Sequence, residues 1–257
     1  MAVITDKKDK LTYHIYDTRE EMGEAAAKDA AKAINEIIAK KGEANLIFAA
    51  APSQNEFLAN VIKQDIDWSK VNGFHMDEYV GLSKDAPQGF GNFLRAAIFG
   101  KVNFKSVNYL DISATDSEAE CERYTKVLKE NPTDIVFMGI GENGHIAFND
   151  PHVAFFNDPK TVKIVELDDV CRMQQVNDGC FATINDVPKT AMTLTIPTLM
   201  APVKVFCIVP AKTKANAVNA VLTGSITEKC PASILREHND AVLYAEKDSA
   251  SIFLNNK

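Results

Sequence analysis

The chain has 257 residues, of which 46% are hydrophobic and 25% are charged, as in an ordinary globular protein with an ample core. A net charge of −7 argues against a nucleic-acid-binding surface. Five scattered cysteines without C-x-x-C spacing predict neither a disulfide framework nor a zinc site, and a reducing cytoplasm fits best. No segment resembles a signal peptide or approaches transmembrane length, so we expect a cytoplasmic protein that does not contact a membrane.

Strands and helices alternate along the chain. A capping-box pattern at Thr18-Arg-Glu-Glu21 opens an alanine-rich helix that runs to about Lys41 and ends at Gly42,. Further helices are predicted after Pro52, over residues 90–99 and 117–129, and from Lys212. The predicted strands cover residues 11–16, 45–50, 73–76, 107–110, 135–138, 162–165, 203–209 and 241–245.

Parallel strands need crossover connections, which alternating helices supply. We therefore predict a single α/β domain over residues 1–257, with a mostly parallel sheet flanked by helices in a Rossmann-like arrangement. The polar segment 168–188 receives no element, and residues 191–200 form an apolar stretch of undecided type.

The most informative stretch is residues 134–151, DIVFMGIGENGHIAFNDP. A short apolar strand is followed by Gly139, Gly141 and Gly144, which turn the backbone sharply, and then by polar side chains. In open α/β sheets, ligands bind outside the carboxyl ends of the strands. A site is therefore predicted where these side chains, Asn143, His145 and Asp150, follow the strand.

The same glycines formally match the dinucleotide-binding pattern G-x-G-x-x-G. That pattern needs a long helix directly after the glycines, so that the pyrophosphate lies at its N-terminus. Here Asn149-Asp150-Pro151 follows too soon for an ordinary helix. We do not expect a nicotinamide cofactor.

His145 has two interpretations. It could only satisfy backbone groups in a buried turn, or it could be catalytic, since a carboxylate such as Asp150 can fix the tautomer of an imidazole and raise its basicity. Asp77 and Glu78, at the end of another strand, could be solvated loop carboxylates, an N-cap for a turn, or proton-transfer groups if folding brings them beside His145.

Ser53 and Lys214 each lie near the start of a helix that follows a strand. Helix N-termini favour phosphate, because their N–H groups are free and carry partial positive charge. An ordinary cap at Ser53 and a solvated Lys214 are equally compatible with the spacing.

Two motifs look like the signatures of the glucosamine-6-phosphate deaminase (isomerase) family, and the similarity covers most of the chain. They are Phe74-His-Met-Asp-Glu-Tyr-Val-Gly-Leu82 and Gly139-Ile-Gly-Glu-Asn-Gly-His-Ile-Ala-Phe-Asn-Asp-Pro151. The resemblance implies a cofactor-independent hydrolase or isomerase that opens an aminosugar phosphate ring, moves a proton between C2 and C1, and releases ammonia.

Roles follow from the resemblance. Asp77 would accept the C2 proton, and His145 would act as acid and base in ring opening, oriented by Asp150 and Asn143. Lys214 would bind the substrate phosphate, with Ser53 and Gly144 as further candidates at that end.

The chain departs from the family pattern at several positions. The phosphate loop, Ala49-Ala-Ala-Pro-Ser-Gln54, lacks the usual glycines, and Gly179 lies near the place of a phosphate-binding arginine. Arg172 or Gln175 could compensate for that arginine. Asp150 is one methylene shorter than the usual glutamate. Val153 and Val162 replace residues used by allosteric members, so allosteric activation is not expected.

Two alternatives compete with a deaminase. A 6-phosphogluconolactonase-like enzyme is disfavoured by the sequence after His145, and a non-catalytic sugar-phosphate sensor is disfavoured by the retention of both Asp77 and His145. We expect a small sugar phosphate as the binding partner and no metal, because the histidines form no local ligand cluster in the sequence. The sequence leaves open the exact sugar phosphate and whether the protein is a homo-oligomer.

Overall fold

Residues 2–256 are described by a computed structural model, in which eleven strands form two sheets. The strands are β1 (Ile4–Lys8), β2 (Leu11–Tyr16), β3 (Ala44–Phe48), β4 (Val71–His75), β5 (Asp77–Tyr79), β6 (Ser106–Asn108), β7 (Ile135–Met138), β8 (Val162–Glu166), β9 (Thr190–Leu194), β10 (Lys204–Val209) and β11 (Ala241–Glu246). The α-helices are α1 (Arg19–Lys41), α2 (Asn55–Val61), α3 (Phe90–Leu94), α4 (Ser117–Glu130), α5 (Asp169–Asn177), α6 (Ile196–Met200), α7 (Ala215–Thr223) and α8 (Ser251–Asn255).

The larger sheet has eight strands in the order β1-β2-β11-β10-β7-β3-β4-β6. Every neighbouring pair is parallel except β1 with β2. The mostly parallel sheet is therefore confirmed. After β3 the chain adds strands on one side, and after β7 it adds them on the other, so a crevice opens between the carboxyl ends of β3 and β7.

Both faces of this sheet are buried, since helices cover each of them. Leu46 and Phe48 of β3 pack into the cluster formed with α1 and α2, whereas Ile47 faces the opposite cluster with α4 and α7. This alternation follows from the two-residue period of a strand.

Helix α1 begins and ends as predicted. The Thr18 hydroxyl accepts a hydrogen bond from the Glu21 N–H (3.2 Å), which is one half of the predicted capping box. At the other end Gly42 adopts a left-handed conformation (φ 86°) and its N–H binds the Ile38 carbonyl oxygen, which closes the helix.

The second sheet is antiparallel, in the order β5-β9-β8, and Asp77 of β5 lies opposite Thr193 of β9. The apolar stretch 191–200 therefore divides between β9 and α6. The polar segment 168–188, to which no element was assigned, contains α5, which Asp168 caps. The charged edge strand β1 was also not predicted. No helix within residues 2–256 is both long enough and apolar enough to span a bilayer.

Candidate active site

Five strands of the larger sheet deliver polar side chains to one cleft at their carboxyl ends. Arg19 follows β2, Ser53 follows β3, Asp77 follows β4, His145 follows β7, and Lys214 follows β10, and all five line the cleft. Of the predicted site residues, the structure thus brings Ser53, Asp77, His145 and Lys214 together.

The glycine turn after β7 presents His145 to the cleft. The Gly141 N–H donates to the His145 carbonyl oxygen (2.9 Å), and a Cβ added at Gly141 would clash with the imidazole ring, at Cε1 and at each ring nitrogen. Gly144 has φ 85° and its N–H binds the Gly141 carbonyl oxygen (3.0 Å). Turns and an isolated bridge between Ile146 and Asn149 follow the glycines. The helix required by the dinucleotide pattern is absent from this part of the described chain.

A buried hydrogen-bond network holds the His145 ring. Nδ1 lies 2.8 Å from Asn143 Oδ1 and 3.0 Å from Asp150 Oδ1. Burial disfavours ionisation of Asp150, but hydrogen bonds from His145, Asn143 and the Asp168 N–H outweigh it and lower the pKa of this carboxyl,. Because both neighbours of Nδ1 are acceptors, Nδ1 carries the proton in the neutral ring, and the free lone pair is on Nε2.

Asp77 and Glu78 lie in a strand and are buried, so they are not solvated loop carboxylates. Burial and the neighbouring Glu78 raise the pKa of Asp77 well above its ordinary value. Glu78 accepts hydrogen bonds from the N–H groups of Tyr79 (2.9 Å), Phe90 (3.0 Å) and Gly91 (2.8 Å), and so caps the start of α3. Burial, only partly offset by these bonds, raises the pKa of Glu78 to about 7.

Two cationic side chains, Arg19 and Lys214, also line the cleft. Lys214 is 4% exposed, and its Nζ has no hydrogen-bond partner among residues 2–256. Burial lowers the pKa of Lys214, while Asp178 and Glu142 act in the opposite direction. The Ser53 hydroxyl accepts a hydrogen bond from Gln54 Nε2 (3.1 Å). A buried ammonium with no hydrogen bond or ion pair within the described chain is an unfavourable arrangement that an anionic ligand would relieve,.

The sequence pattern does not indicate Arg19 as a site residue. Its Nη2 donates to the Pro52 carbonyl oxygen (2.8 Å), and its Nε lies 2.8 Å from Glu56 Oε1. A guanidinium has five N–H groups, so donors remain for a ligand. One signal could have indicated it: Arg19 is a cation in the first turn of α1, where the helix dipole favours anions.

Most of the other candidates for phosphate binding do not line the cleft. Arg172 donates to the carbonyl oxygens of Ile184 (2.6 Å) and Val187 (3.2 Å), and ties α5 to the segment after it. Gly144 packs against Cys230, and Gly179 also lies outside the cleft lining. Of the two compensating residues considered, only Gln175 lines the cleft.

Two groups of side chains could offer ligands to a metal, which the sequence did not indicate. They are His145 with Asp150 and Cys171, and Asp150 with His152 and Asp168, each with ligand atoms within 4.8 Å of one another. Both groups share Asp150. Its Oδ1 already accepts from Asn143 and faces His145, and its Oδ2 accepts from the Asp168 N–H. Both oxygens of the carboxylate that the two groups share are therefore already engaged by neighbouring residues.

The family model of the glucosamine-6-phosphate isomerases/6-phosphogluconolactonase matches residues 17–244. The chain belongs to this family. The family predicted from the two motifs is confirmed, and the match spans every residue that lines the cleft.

Relatives within the family agree over most of their length. The chain is 36% identical to a glucosamine-6-phosphate deaminase of Listeria innocua over 221 residues, which are 84% of this chain and 92% of the relative. It is 33% identical to one of Lactobacillus delbrueckii subsp. bulgaricus over 232 residues, 90% and 95% of the two chains.

Solved structures share the fold. A monomeric glucosamine-6-phosphate deaminase superposes with a TM-score of 0.84 at 30% identity, covering 95% of this chain and 99% of the other. The 6-phosphogluconolactonase of Thermotoga maritima has a TM-score of 0.76 at 18% identity, covering 93% and 100%. The second likeness is one of fold alone.

Proposed function

We propose that this protein converts glucosamine 6-phosphate to fructose 6-phosphate and ammonia, by aldose–ketose isomerisation with deamination. One observation carries the proposal: a buried carboxylate, Asp77, and an imidazole, His145, face the same cleft as the unpartnered ammonium of Lys214. The relatives named as deaminases support the same activity. The hydrolase class expected beside it has no support among the comparisons, and we assign the enzyme as an isomerase.

The cationic side chains of the cleft orient the substrate. Lys214 and Arg19 bind the phosphate, and Ser53 offers a hydroxyl to it. This leaves the sugar ring between the phosphate and the proton-transfer groups. Charge-assisted hydrogen bonds to phosphate are short and directional, so they fix C1 and C2 relative to Asp77 and His145.

His145 opens the ring. Its Nε2 accepts the proton of the C1 hydroxyl and returns a proton to the ring oxygen, which breaks the C1–O5 bond and leaves an aldehyde. Asn143 and Asp150 hold the Nδ1 proton in place, so Nε2 alone exchanges protons with the substrate,.

Asp77 then moves the carbon-bound proton. In its ionised form it takes the proton from C2 while O1 of the aldehyde receives a proton from the C2 ammonium group, which gives a neutral enolamine. Asp77 then delivers its proton to C1, which leaves an iminium at C2 and a hydroxymethyl group at C1. Water adds to that carbon, and ammonia leaves to give the ketose. Because burial raises its pKa, the Asp77 carboxylate is a stronger base than an exposed aspartate,.

Ammonia release from glucosamine 6-phosphate by the purified protein tests the proposal. Asp77→Asn removes the base, and we expect kcat to fall by about 10²–10⁴-fold. Asp116→Asn makes the same change at the N-cap of α4, outside the cleft, and should leave kcat unchanged. Wild-type protein that releases no ammonia, or that hydrolyses 6-phosphogluconolactone instead, would contradict the proposal.

Other expectations remain predictions. The single domain over residues 1–257 is supported by the family match over residues 17–244. The cytoplasmic location and the oligomeric state are open, although one relative of similar structure is described as monomeric.

A further inference from the structure

We infer that Asp168 is a positioning residue for His145, acting through Asn143. The inference deepens the proposed function, because it rests on the proton-transfer role of His145. Asp168 belongs to the polar segment 168–188, whose residue pattern predicts no element, and it does not line the cleft.

Asp168 contacts both groups that hold the imidazole. Its Oδ2 accepts a hydrogen bond from Asn143 Nδ2 (3.0 Å), and its own N–H donates to Asp150 Oδ2 (3.1 Å). Its Oδ1 accepts from the Cys171 N–H (2.7 Å), which caps α5. The helix cap and the active-site network therefore share one carboxylate but use different oxygens.

The Asn143 amide has only one favourable orientation in this network. One Nδ2 hydrogen goes to Asp150 Oδ1 (3.0 Å) and the other to Asp168 Oδ2 (3.0 Å). Oδ1 then accepts from the His145 N–H (3.0 Å) and Nδ1 (2.8 Å). A flipped amide would place its oxygen between two carboxylates and its NH₂ against the two N–H groups of His145.

The other titratable groups nearby do not replace Asp168 as the acceptor. His152 is exposed, and one of its ring nitrogens lies within 4.8 Å of a carboxylate oxygen of Asp150 and of Asp168. Cys171 is buried beside Asp150, and burial raises the pKa of its thiol well above the ordinary value, so it remains neutral. Without Asp168, one Asn143 Nδ2 hydrogen would have no acceptor, and the NH₂ group would be held by Asp150 alone.

Asp168→Asn separates the two uses of this carboxylate. Asparagine caps helices as well as aspartate does, so its oxygen can still accept from the Cys171 N–H. Its NH₂ would then face the NH₂ of Asn143. We expect kcat to fall by about tenfold or more, as for other supporting partners of catalytic groups, with KM and the melting temperature near those of wild type. Asp116→Asn, an identical change at a cap outside the cleft, is the matched control.

A reversal experiment distinguishes positioning from general damage. Asn143→Asp brings three carboxylates together and should lower kcat by itself. Adding Asp168→Asn to it removes one negative charge and supplies an N–H donor to residue 143. The Asp168→Asn change should therefore raise kcat in the Asn143→Asp background although it lowers kcat in wild type. A fall in both backgrounds would overturn the inference, as would a normal kcat in Asp168→Asn.

The tautomer of His145 gives a readout that needs no turnover, and its first measurement uses the wild-type protein alone. In ¹⁵N-labelled wild-type protein at a pH where the ring is neutral, we expect the proton on Nδ1, and in Asp168→Asn a mixture of tautomers. A wild-type ring protonated on Nε2 would overturn the inference even if the variant failed to fold. Wild-type protein with the expected tautomer but no ammonia release would contradict the proposed function instead.

Discussion

At the scale of single residues, the adjacent carboxylates of β5 serve different purposes because a strand points successive side chains to opposite faces. Asp77 lines the cleft, whereas Glu78 does not and accepts hydrogen bonds from the N–H of Tyr79 and from two N–H groups at the start of α3. Their charges nevertheless interact, since Glu78 helps to raise the pKa of Asp77.

Glu78→Gln should change the pH dependence of the reaction. Removing the neighbouring negative charge lowers the pKa of Asp77, so the base stays ionised to lower pH. The acid limb of the kcat/KM profile should therefore move to lower pH. The lost acceptor oxygen should also reduce the free energy of unfolding by about 1–3 kcal/mol.

Glu120→Gln is the control for this prediction. Glu120 is also a buried glutamate, but it pairs with Arg123 and lies outside the cleft lining. The acid limb of the kcat/KM profile of Glu120→Gln should match that of wild type. An acid limb of Glu78→Gln that is unchanged or at higher pH would contradict the coupling.

Arg19 and Arg172 provide a matched pair of arginines for mutation, because Arg19 lines the cleft and Arg172 does not. Arg19→Met removes a cation that lines the cleft, and the loss of a charged hydrogen bond of about 1.5–3 kcal/mol should raise KM roughly tenfold or more. Arg172→Met removes a cation that binds backbone carbonyl oxygens instead, so it should lower thermal stability without raising KM. Steady-state kinetics with glucosamine 6-phosphate decide the matter: the reverse pattern would assign the phosphate to Arg172.

At the scale of elements, α1 and α2 approach closely at Gly23. A Cβ added there would lie 2.5 Å from Glu56 Cβ and 2.8 Å from the Glu56 carbonyl carbon. Glu56 also pairs with Arg19. The residue of α2 that packs against Gly23 is therefore also the one that pairs with the cleft arginine.

Gly23→Ala should destabilise the protein. Alanine favours a helix by about 1 kcal/mol over glycine, but the collision includes backbone atoms that cannot rotate away, and overpacking costs about 1–3 kcal/mol. We expect a net loss of unfolding free energy in denaturant titrations and a higher KM, because Arg19 shifts. Lys32→Ala, on the exposed side of α1, should change neither. A stabilised Gly23→Ala would show that the helices separate at little cost.

Hydrophobic patterns predicted the elements well where one face is apolar, and poorly elsewhere. Helix α5 has two glutamines, Gln174 and Gln175, among its buried residues, so the apolar period of a helix is missing from its sequence. The strand β1 is mostly exposed and charged, as befits a sheet edge,. As a result the sequence pattern does not indicate that Asp168, between β8 and α5, lies beside the cleft residues.

At the scale of the whole molecule, the position of the site was predictable but its full membership was not. Alternating strands and helices predict a parallel sheet, and any residue just after a strand then lies at the same edge, whatever the strand order. This reasoning brought Asp77, His145, Ser53 and Lys214 together. Whether Arg19 joins the site depends on the strand order itself, because β2 is separated from β7 by β11 and β10. The Arg19 side chain reaches Pro52 and donates to its carbonyl oxygen.

The separate strands that supply the cleft also have an evolutionary consequence. The phosphate end comes from the segments after β2, β3 and β10, whereas the proton-transfer groups follow β4 and β7. Mutations in the first set can alter which anionic group is held without moving the groups that break bonds. A lineage with this architecture can therefore acquire new substrates through changes in a few loops while it inherits the same chemistry. The departure of this chain at residues 49–54 lies in one of these loops, the segment after β3.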